Sequence, residues 1–207
     1  MTNANGVKSP LSPNVLLLNQ GNYLLSCMTI LRDSETATPA FSNAFEKVAT
    51  QLIVAALDLV PTEAALVKSP TGVNYDGQRQ SRAICGVSIL RAGASFESAL
   101  RNAATGPLSF GKILIQRNEE TSLPTHIYSK LPGSIASNTV LILEPMLATG
   151  GSAAKAISIL EEAGVPEEEI IFVNVVASQY GIRKVLEQFP RLRIVTAAVD
   201  DDLTASK

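Results

Sequence analysis

The segment TVLILEPMLATGGSAAKAISILEEAG, residues 139–164, decides which fold the chain is expected to have. Its first five residues form a short apolar run, which favours a buried strand. The stretch from Ser152 to Gly164 favours a helix, and Gly164 is placed to end it. A carboxylate, two glycines and two hydroxyl side chains lie between them. The segment therefore predicts a strand, a polar loop and a helix, in that order.

The same alternation extends through the second half of the chain. Short apolar runs predict four further strands, at residues 83–90, 112–117, 170–178 and 192–200. Helices are expected at residues 94–103 and 180–189. Continuous apolar strands that alternate with helices predict a parallel sheet covered on both faces. The fold class is therefore α/β, with a central, mostly parallel sheet flanked by helices.

The first half predicts two helices and little else. Residues 22–33 are apolar enough for a buried helix. A long amphipathic helix is expected at residues 40–59, with Thr38 as candidate N-cap and Pro39 at the first helical position. Two polar stretches with Pro and Gly, residues 68–81 and 118–138, predict a connection and a long excursion. Residues 1–13 are polar and predict a disordered lead-in, which leaves a folded domain at residues 14–207.

Composition excludes several classes of function. The chain has 207 residues, of which 46% are apolar and 17% charged, as expected for one folded domain with a substantial core. A net charge of −2 gives no basic field for nucleic acid. No apolar stretch approaches the roughly 20 residues of a membrane helix, and the first residues lack the apolar core of a signal peptide. We therefore expect a cytoplasmic protein without a nucleic-acid or membrane partner.

Candidate metal ligands and nucleophiles have simpler interpretations. Cys27 and Cys85 stand in apolar runs and are interpreted as small buried hydrophobic residues. His126, the sole histidine, is interpreted as a surface residue rather than a general base. The aspartates at positions 200–202 could bind a metal, but a solvated acidic tail is the favoured interpretation.

One motif resembles a nucleotide-binding loop without matching it. GPLSFGKI, residues 106–113, nearly fits the P-loop pattern. Ile113 stands where the motif needs a hydroxyl to hold Mg²⁺, and the segment leads into a strand rather than out of one. A P-loop is therefore not expected.

The loop at residues 144–152 carries the strongest functional signal. In open α/β sheets, ligands bind beyond the carboxyl ends of the strands, where Glu144 falls. The next helix begins with unpaired N–H groups and a positive dipole end, and Gly150 and Gly151 let these amides approach an anion. Thr149 and Ser152 add hydroxyl donors. The loop predicts a phosphate site, with Glu144 suited to the paired hydroxyls of a ribose. The alternative is a plain turn with Ser152 as N-cap.

Segments in order along the chain resemble the uracil phosphoribosyltransferase family. EPMLATGGS (144–152) is similar to the family's loop for 5-phosphoribosyl 1-pyrophosphate (PRPP), which usually begins with Asp. CGVSILRAG, GKILIQRNEETSLP, YSKLP and RIVTAAVD resemble other family segments, at residues 85–93, 111–124, 128–132 and 193–200. The resemblance extends from about residue 14 to the C-terminus and is closest to fungal members. It implies a type I phosphoribosyltransferase (Rossmann-like) fold with a mobile flap.

The resemblance also implies an activity and a set of site residues. The implied enzyme transfers ribose 5-phosphate from PRPP to N1 of uracil, giving UMP and diphosphate in pyrimidine salvage, with Mg²⁺ bound to PRPP. Arg91, Arg117 and Glu144 are the implied catalytic residues: the arginines meet the pyrophosphate, Arg117 from the flap, and Glu144 faces the ribose hydroxyls. No protein residue is expected to bind the metal directly. The implied PRPP-binding residues are Arg91, Ala92, Gly93, Arg117, Glu144, Pro145, Met146, Leu147, Ala148, Thr149, Gly150, Gly151 and Ser152.

Family membership further implies a homodimer or homotetramer and GTP as a candidate activator, but the sequence departs from the family in three ways. Glu144 replaces Asp, so its carboxylate reaches one methylene further. The N-terminal region lacks basic residues that the family usually carries, which weakens the expectations about subunit contacts and GTP. The chain ends at Lys207, before the family's glycine-rich uracil-binding segment, so the domain is expected to be truncated and no uracil-binding residue is assigned. This leaves an alternative open: a catalytically impaired, PRPP- or nucleotide-binding regulatory protein that assembles with a full-length relative.

Overall fold

The structure, a computed structural model, describes residues 12–117 and 124–201. Its α-helices are α1 (Asn22–Arg32), α2 (Thr38–Leu57), α3 (Glu97–Ala103), α4 (Gly151–Glu162) and α5 (Gln179–Gln188). Its strands are β1 (Val15–Leu17), β2 (Thr62–Lys68), β3 (Asn74–Gln80), β4 (Ile84–Leu90), β5 (Leu108–Arg117), β6 (Pro124–Lys130), β7 (Thr139–Leu143), β8 (Met146–Leu147), β9 (Ile170–Ser178) and β10 (Arg193–Asp200). Short 3₁₀ turns occupy Ala92–Phe96, Ile135–Ser137 and Glu167–Glu169.

The central sheet has the strand order β1-β10-β9-β7-β4-β5-β6, with β8 beside β9. Its strands pair in parallel except for β6, which is antiparallel to β5. The five strands predicted from apolar runs, β4, β5, β7, β9 and β10, are confirmed as parallel neighbours. Because these strands are parallel, their carboxyl ends meet at one edge of the sheet, which we call the carboxyl edge.

Apolar side chains fill both faces of the sheet. Helices α4 and α5 cover one face, where Val140 and Ile142 of β7 are buried. Helices α1, α2 and α3 cover the other, where Leu141 and Leu143 of the same strand are buried. A strand that is covered on both sides has no polar face, which explains why residues 139–143 form one continuous apolar run.

The polar connection predicted at residues 68–81 contains a β-hairpin strand, β3, that was not predicted. β2 and β3 form an antiparallel ribbon with Thr62 opposite Gln80 and Lys68 opposite Asn74. The chain reverses between Ser69 and Val73, where Gly72 adopts a φ of 85°. Most side chains of this β2–β3 ribbon are exposed, so its sequence lacks the alternation of apolar and polar residues that marks a half-buried strand.

The excursion at residues 118–138 is also more ordered than predicted. β6 pairs with β5, and the 3₁₀ turn at Ile135–Ser137 precedes β7. β6 lies at the edge of the sheet and is largely exposed, which accounts for its polar sequence. Residues 118–123 lie outside the described part of the chain, so the flap stays a prediction.

Helix boundaries differ from the predictions, most clearly in α2 and α3. Thr38 is the first residue of α2 and not its cap, because Ala37 occupies the N-cap position and its carbonyl accepts the amide of Phe41. The helix predicted at residues 94–103 is split into the 3₁₀ turn at Ala92–Phe96 and α3. Gly164, with a φ of 86°, follows α4 as predicted.

The remaining predictions about the termini and membranes are tested only in part. The lead-in expected at residues 1–13 falls mostly outside the described residues, although the amide of Val15 bonds the carbonyl of Ser12 in a turn before β1. None of the helices within residues 12–117 and 124–201 combines the length and hydrophobicity needed to cross a membrane.

Candidate functional site

The loop between β7 and α4 begins by pairing with β9. The amide of Glu144 bonds the carbonyl of Val173 at 3.2 Å, and the carbonyl of Pro145 accepts the amides of Val175 and Val176. β8 then continues the pairing, with Met146 opposite Val176. The backbone of this half of the loop is therefore held by a central strand, and Glu144 stays half-buried at the carboxyl edge.

The second half of the loop is held by the start of α5. The hydroxyl of Ser178, the N-cap of α5, donates to the carbonyl of Ala148 at 2.5 Å and accepts the amide of Gly181 at 2.8 Å. A Cβ on Gly181 would overlap that same carbonyl and would lie 3.0 Å from the carbonyl of Leu147. The loop and the first turn of α5 are thus in backbone contact at a position where only glycine fits.

Gly150 gives the loop a backbone conformation that favours glycine. Gly150 is the N-cap of α4 and adopts a φ of 79°, a conformation that other residues rarely adopt. A Cβ at Gly150 would also lie 2.7 Å from Cγ2 of Val185. Since Gly150 has no side chain, it cannot cap the first turn of α4, whose amides are left for another acceptor. This geometry agrees with the predicted anion site and not with a plain turn capped by Ser152.

The turn that follows β4 reaches the same edge. Arg91 is exposed there, after a cis peptide bond from Leu90. Gly93 is buried against the end of β7, and a Cβ on it would overlap the carbonyl oxygen of Leu143. Because Leu143 directly precedes Glu144, this contact brings the Arg91–Gly93 turn next to the loop at residues 144–152.

Arg117 also ends a strand at this edge. The backbone of Arg117 pairs with that of Pro124 across β5 and β6. The ring of Pro124 in turn lies 3.5 Å from where a Cβ on Gly151 would be. The structure therefore brings the backbone of Arg117 close to the start of α4, and all the predicted PRPP-binding segments lie along one edge of the sheet.

A polar cluster beneath the Arg91–Gly93 turn was not predicted. Ser88 is fully buried on β4 and donates to Oε1 of Glu97 at 2.6 Å, and Lys112 of β5 forms an ion pair with the same oxygen. We call these three residues the Glu97 cluster. Burial alone would raise the pKa of the Glu97 carboxyl, but hydrogen bonds from Lys112 and Ser88 and the charges of Lys112 and Arg101 outweigh it, so the pKa is lowered.

The lowered pKa of Glu97 predicts a pH-dependent contribution to stability. A carboxylate whose pKa falls on folding contributes stability that is fully present above its usual pKa of 4.5 and is lost as the pH falls through the folded value. The change Glu97→Gln removes this charge at every pH. We expect the Tm of the native protein to exceed that of Glu97→Gln most at neutral pH, and the difference to shrink below pH 4.5. Thermal unfolding across this range measures it, and a constant difference would contradict it.

Sequence reasoning missed Ser178, Gly181 and the Glu97 cluster for different reasons. Ser178 had a usable signal, because a serine between a strand and a helix is a typical N-cap. Gly181 and the Glu97 cluster depend on contacts between distant segments, which no local pattern reveals.

The other candidate residues have no place in this site. His126 is exposed on β6, and Cys27 and Cys85 are buried, as predicted. Burial raises the pKa of the Cys85 thiol, which makes it a weaker nucleophile. No group of three or more His, Cys, Asp or Glu side chains that could hold a metal occurs within residues 12–117 and 124–201.

The acidic end of β10 is not simply a solvated tail. Asp200 accepts two hydrogen bonds from the guanidinium of Arg32, at 2.7 and 3.2 Å. Asp201 accepts a hydrogen bond from the side-chain amide of Gln179. These contacts tie α1, α5 and β10 together beside the site, whereas position 202 lies outside the described residues.

Several known proteins are similar to this chain in sequence or in fold. The family model described as "Uracil phosphoribosyltransferase" matches residues 18–207. Uracil phosphoribosyltransferase 2 of Schizosaccharomyces pombe is 44% identical over 194 residues, which cover 94% of this chain and 88% of that protein. The solved structure of the AQ2163 protein from Aquifex aeolicus is similar with a TM-score of 0.80 and 26% identity, over 92% of this chain and 89% of that one. A hypoxanthine-guanine phosphoribosyltransferase from Bacillus anthracis shares the fold, with a TM-score of 0.51, 8% identity and coverage of 78% and 80%.

Proposed function

The chain belongs to the uracil phosphoribosyltransferase family and has the type I phosphoribosyltransferase fold, and we propose that it converts uracil and PRPP to UMP and diphosphate in pyrimidine salvage. One observation carries the proposal beyond the resemblance. Two candidate anion sites, the start of α4 and the Arg91–Gly93 turn, lie at the same edge of the sheet as Glu144. PRPP carries anionic groups at both ends of a ribose, so its chemistry matches this arrangement.

The start of α4 is proposed to hold the 5′-phosphate. The amides of the first helical turn and the positive end of the helix dipole favour an anion there. Thr149 and Ser152 add hydroxyl donors, and Ala148 contributes backbone. The contacts of Ser178 and Gly181 fix the loop before the ligand arrives, which reduces the entropy lost on binding.

Glu144 is proposed to accept hydrogen bonds from the 2- and 3-hydroxyls of the ribose. A charged acceptor strengthens such hydrogen bonds. The backbone amide of Glu144 donates to the carbonyl of Val173, which fixes the backbone at this position. The methylene that Glu has in addition to Asp is therefore accommodated by the conformation of the side chain. Pro145, Met146 and Leu147 contribute to the site through the backbone that connects Glu144 to the phosphate loop.

The reaction breaks the bond between C1 of the ribose and a pyrophosphate oxygen while N1 of uracil bonds to C1. The bonding electrons leave with the pyrophosphate, and the N1 proton passes to solvent. Arg91 and Arg117, with the turn at Ala92 and Gly93, are proposed to stabilise the departing negative charge. Mg²⁺ bound with PRPP would supply further positive charge to the pyrophosphate, beside Arg91 and Arg117.

The proposed activity is tested by following radiolabelled uracil into UMP with PRPP and Mg²⁺. We expect UMP in the native protein, and about tenfold weaker PRPP binding in Thr149→Val and Ser152→Ala, because each loses one hydrogen bond to a charged group. Calorimetry measures the affinity in the same preparation. PRPP binding without turnover would favour the regulatory alternative, and loss of both would contradict the phosphate site.

We also propose that the protein is cytoplasmic and forms a homodimer or homotetramer. The β2–β3 ribbon supports self-association, because Leu66, Val73 and Tyr75 are about two-thirds exposed on it, at 66%, 66% and 63%. A two-stranded ribbon is marginally stable by itself in water, so a partner that covers these side chains would stabilise it. Light scattering should give two or four times the 21.9 kDa mass of one chain, and a monomer would contradict this. GTP activation stays a prediction.

A further inference from the structure

The Glu97 cluster lies directly below the Arg91–Gly93 turn but has no part in the reaction described above. Glu97 is the first residue of α3, whereas Ser88 and Lys112 belong to neighbouring strands and stand opposite each other in the sheet. The cluster therefore fixes the start of α3 to β4 and β5 at the same time. Only 20% of the Glu97 side chain and 33% of the Lys112 side chain are exposed.

Hydrogen bonds connect the Glu97 cluster to the Arg91–Gly93 turn. The carbonyl of Arg91 accepts the amide of Ala94 at 3.2 Å, and the carbonyl of Ala94 accepts the amide of Glu97. The hydroxyl of Ser95 donates to the carbonyl of Ala92 at 2.7 Å. If Glu97 moved, these hydrogen bonds would therefore displace Ala94 and, through it, Arg91.

The turn is thus fixed on two sides. Gly93 packs against the carbonyl of Leu143, and a Cβ on it would also lie 3.3 Å from the Cα of Ser88. On the other side of the turn, Glu97 is held by its ion pair with Lys112. A desolvated ion pair contributes little net stability compared with well-packed apolar residues, so stability alone does not account for one at this position.

We infer that Glu97, held by Ser88 and Lys112, is a positioning residue that fixes the Arg91–Gly93 turn for the pyrophosphate end of PRPP. The inference rests on the proposed function, because it assigns Glu97 to one half of that site. If it is correct, loss of the Glu97 cluster weakens pyrophosphate binding. The 5′-phosphate loop is held by α5 and β9 instead, so binding there should be unaffected.

The chain contains a matched control at the opposite edge of the sheet. Arg82 forms an ion pair with Glu169 at 2.5 Å, and Thr139, fully buried at the start of β7, donates to the same carboxylate at 2.9 Å. The exposed fractions of the Arg82 and Glu169 side chains, 32% and 17%, are close to those of Lys112 and Glu97. Both clusters combine a strand hydroxyl, a carboxylate and a cation, but only the Glu97 cluster lies near the site.

The test measures two affinities by calorimetry, for pyrophosphate with Mg²⁺ and for ribose 5-phosphate. In Glu97→Gln and Lys112→Met, we expect about tenfold weaker binding of pyrophosphate and a raised KM for PRPP, since small displacements of an orienting group have effects of this size. Ribose 5-phosphate affinity should stay within about twofold, which is less than the loss of one hydrogen bond would cause. Glu169→Gln and Arg82→Met should change neither affinity, even if their Tm falls as much.

The possible outcomes separate the inference from the proposed function. If the native protein binds neither ligand, the proposed function fails and this inference fails with it. If the native protein binds both and the Glu97→Gln and Lys112→Met variants weaken both equally, or neither, the inference alone is overturned. The inference is also overturned if the control variants, Glu169→Gln and Arg82→Met, selectively lose affinity for pyrophosphate. Two variants of the cluster keep the test decisive if one of them does not fold.

Discussion

Replacing Arg91 with alanine is expected to lower kcat/KM for PRPP by about a thousandfold, the upper range for loss of one charge-stabilising group. When the C1–oxygen bond breaks, negative charge moves onto the pyrophosphate. A guanidinium carried by a fixed turn at the carboxyl edge would stabilise this charge with little reorganisation. Water, which would replace it, is not oriented. Steady-state formation of UMP from radiolabelled uracil measures the loss.

Control variants separate charge from geometry and from stability. Arg91→Lys keeps the charge but loses the planar fork, so its activity should fall between those of the native protein and Arg91→Ala. Arg191→Ala, which removes an exposed arginine just before β10 at the opposite edge of the sheet, should keep native activity. Because Arg91 is exposed, its loss should leave the Tm nearly unchanged. Near-native turnover in Arg91→Ala would contradict the assignment of the pyrophosphate site.

The change Gly181→Ala is expected to weaken ribose 5-phosphate binding by roughly tenfold to a hundredfold, although Gly181 has no proposed contact with the ligand. The new Cβ would overlap the carbonyl of Ala148, so either α5 or the phosphate loop must move. Overpacking against backbone should also cost about 1–3 kcal/mol of stability. In an unobstructed helix the same change would be stabilising, because alanine is the better helix former.

Gly133→Ala is the matched control for this prediction. A Cβ at Gly133 would have no neighbour within 4 Å among the described residues, so the substitution tests loss of a glycine without the overlap. Both its Tm and its affinity for ribose 5-phosphate should remain native. A Gly181→Ala protein that binds ribose 5-phosphate normally would show that contact with α5 does not shape the phosphate loop.

The central strands and the glycine-containing loop before α4 could be predicted from the sequence because their signals are local. Residues 139–143 are buried on both sides, and this environment produces a continuous apolar run. The glycine at position 150 occupies a backbone conformation that few other residues adopt, and α4 begins at Gly151, one residue before the predicted start at Ser152.

Other features could not be predicted because they depend on distant contacts or on exposure. The close approach of Gly93 to Leu143 joins two segments separated by β5 and β6 in the chain. The ion pair between Glu97 and Lys112 also joins separate elements, and neither residue has a local signal. The β2–β3 ribbon was not predicted because its strands are largely exposed. They have no buried face that would impose an apolar pattern on the sequence.

A crystal structure of the protein with PRPP and Mg²⁺ would show directly how the ligand lies at the carboxyl edge. We expect the 5′-phosphate at the first turn of α4 beside Thr149, the ribose hydroxyls at Glu144 and the pyrophosphate at the Arg91–Gly93 turn. A ligand bound in the reverse direction, or away from the carboxyl edge, would contradict it.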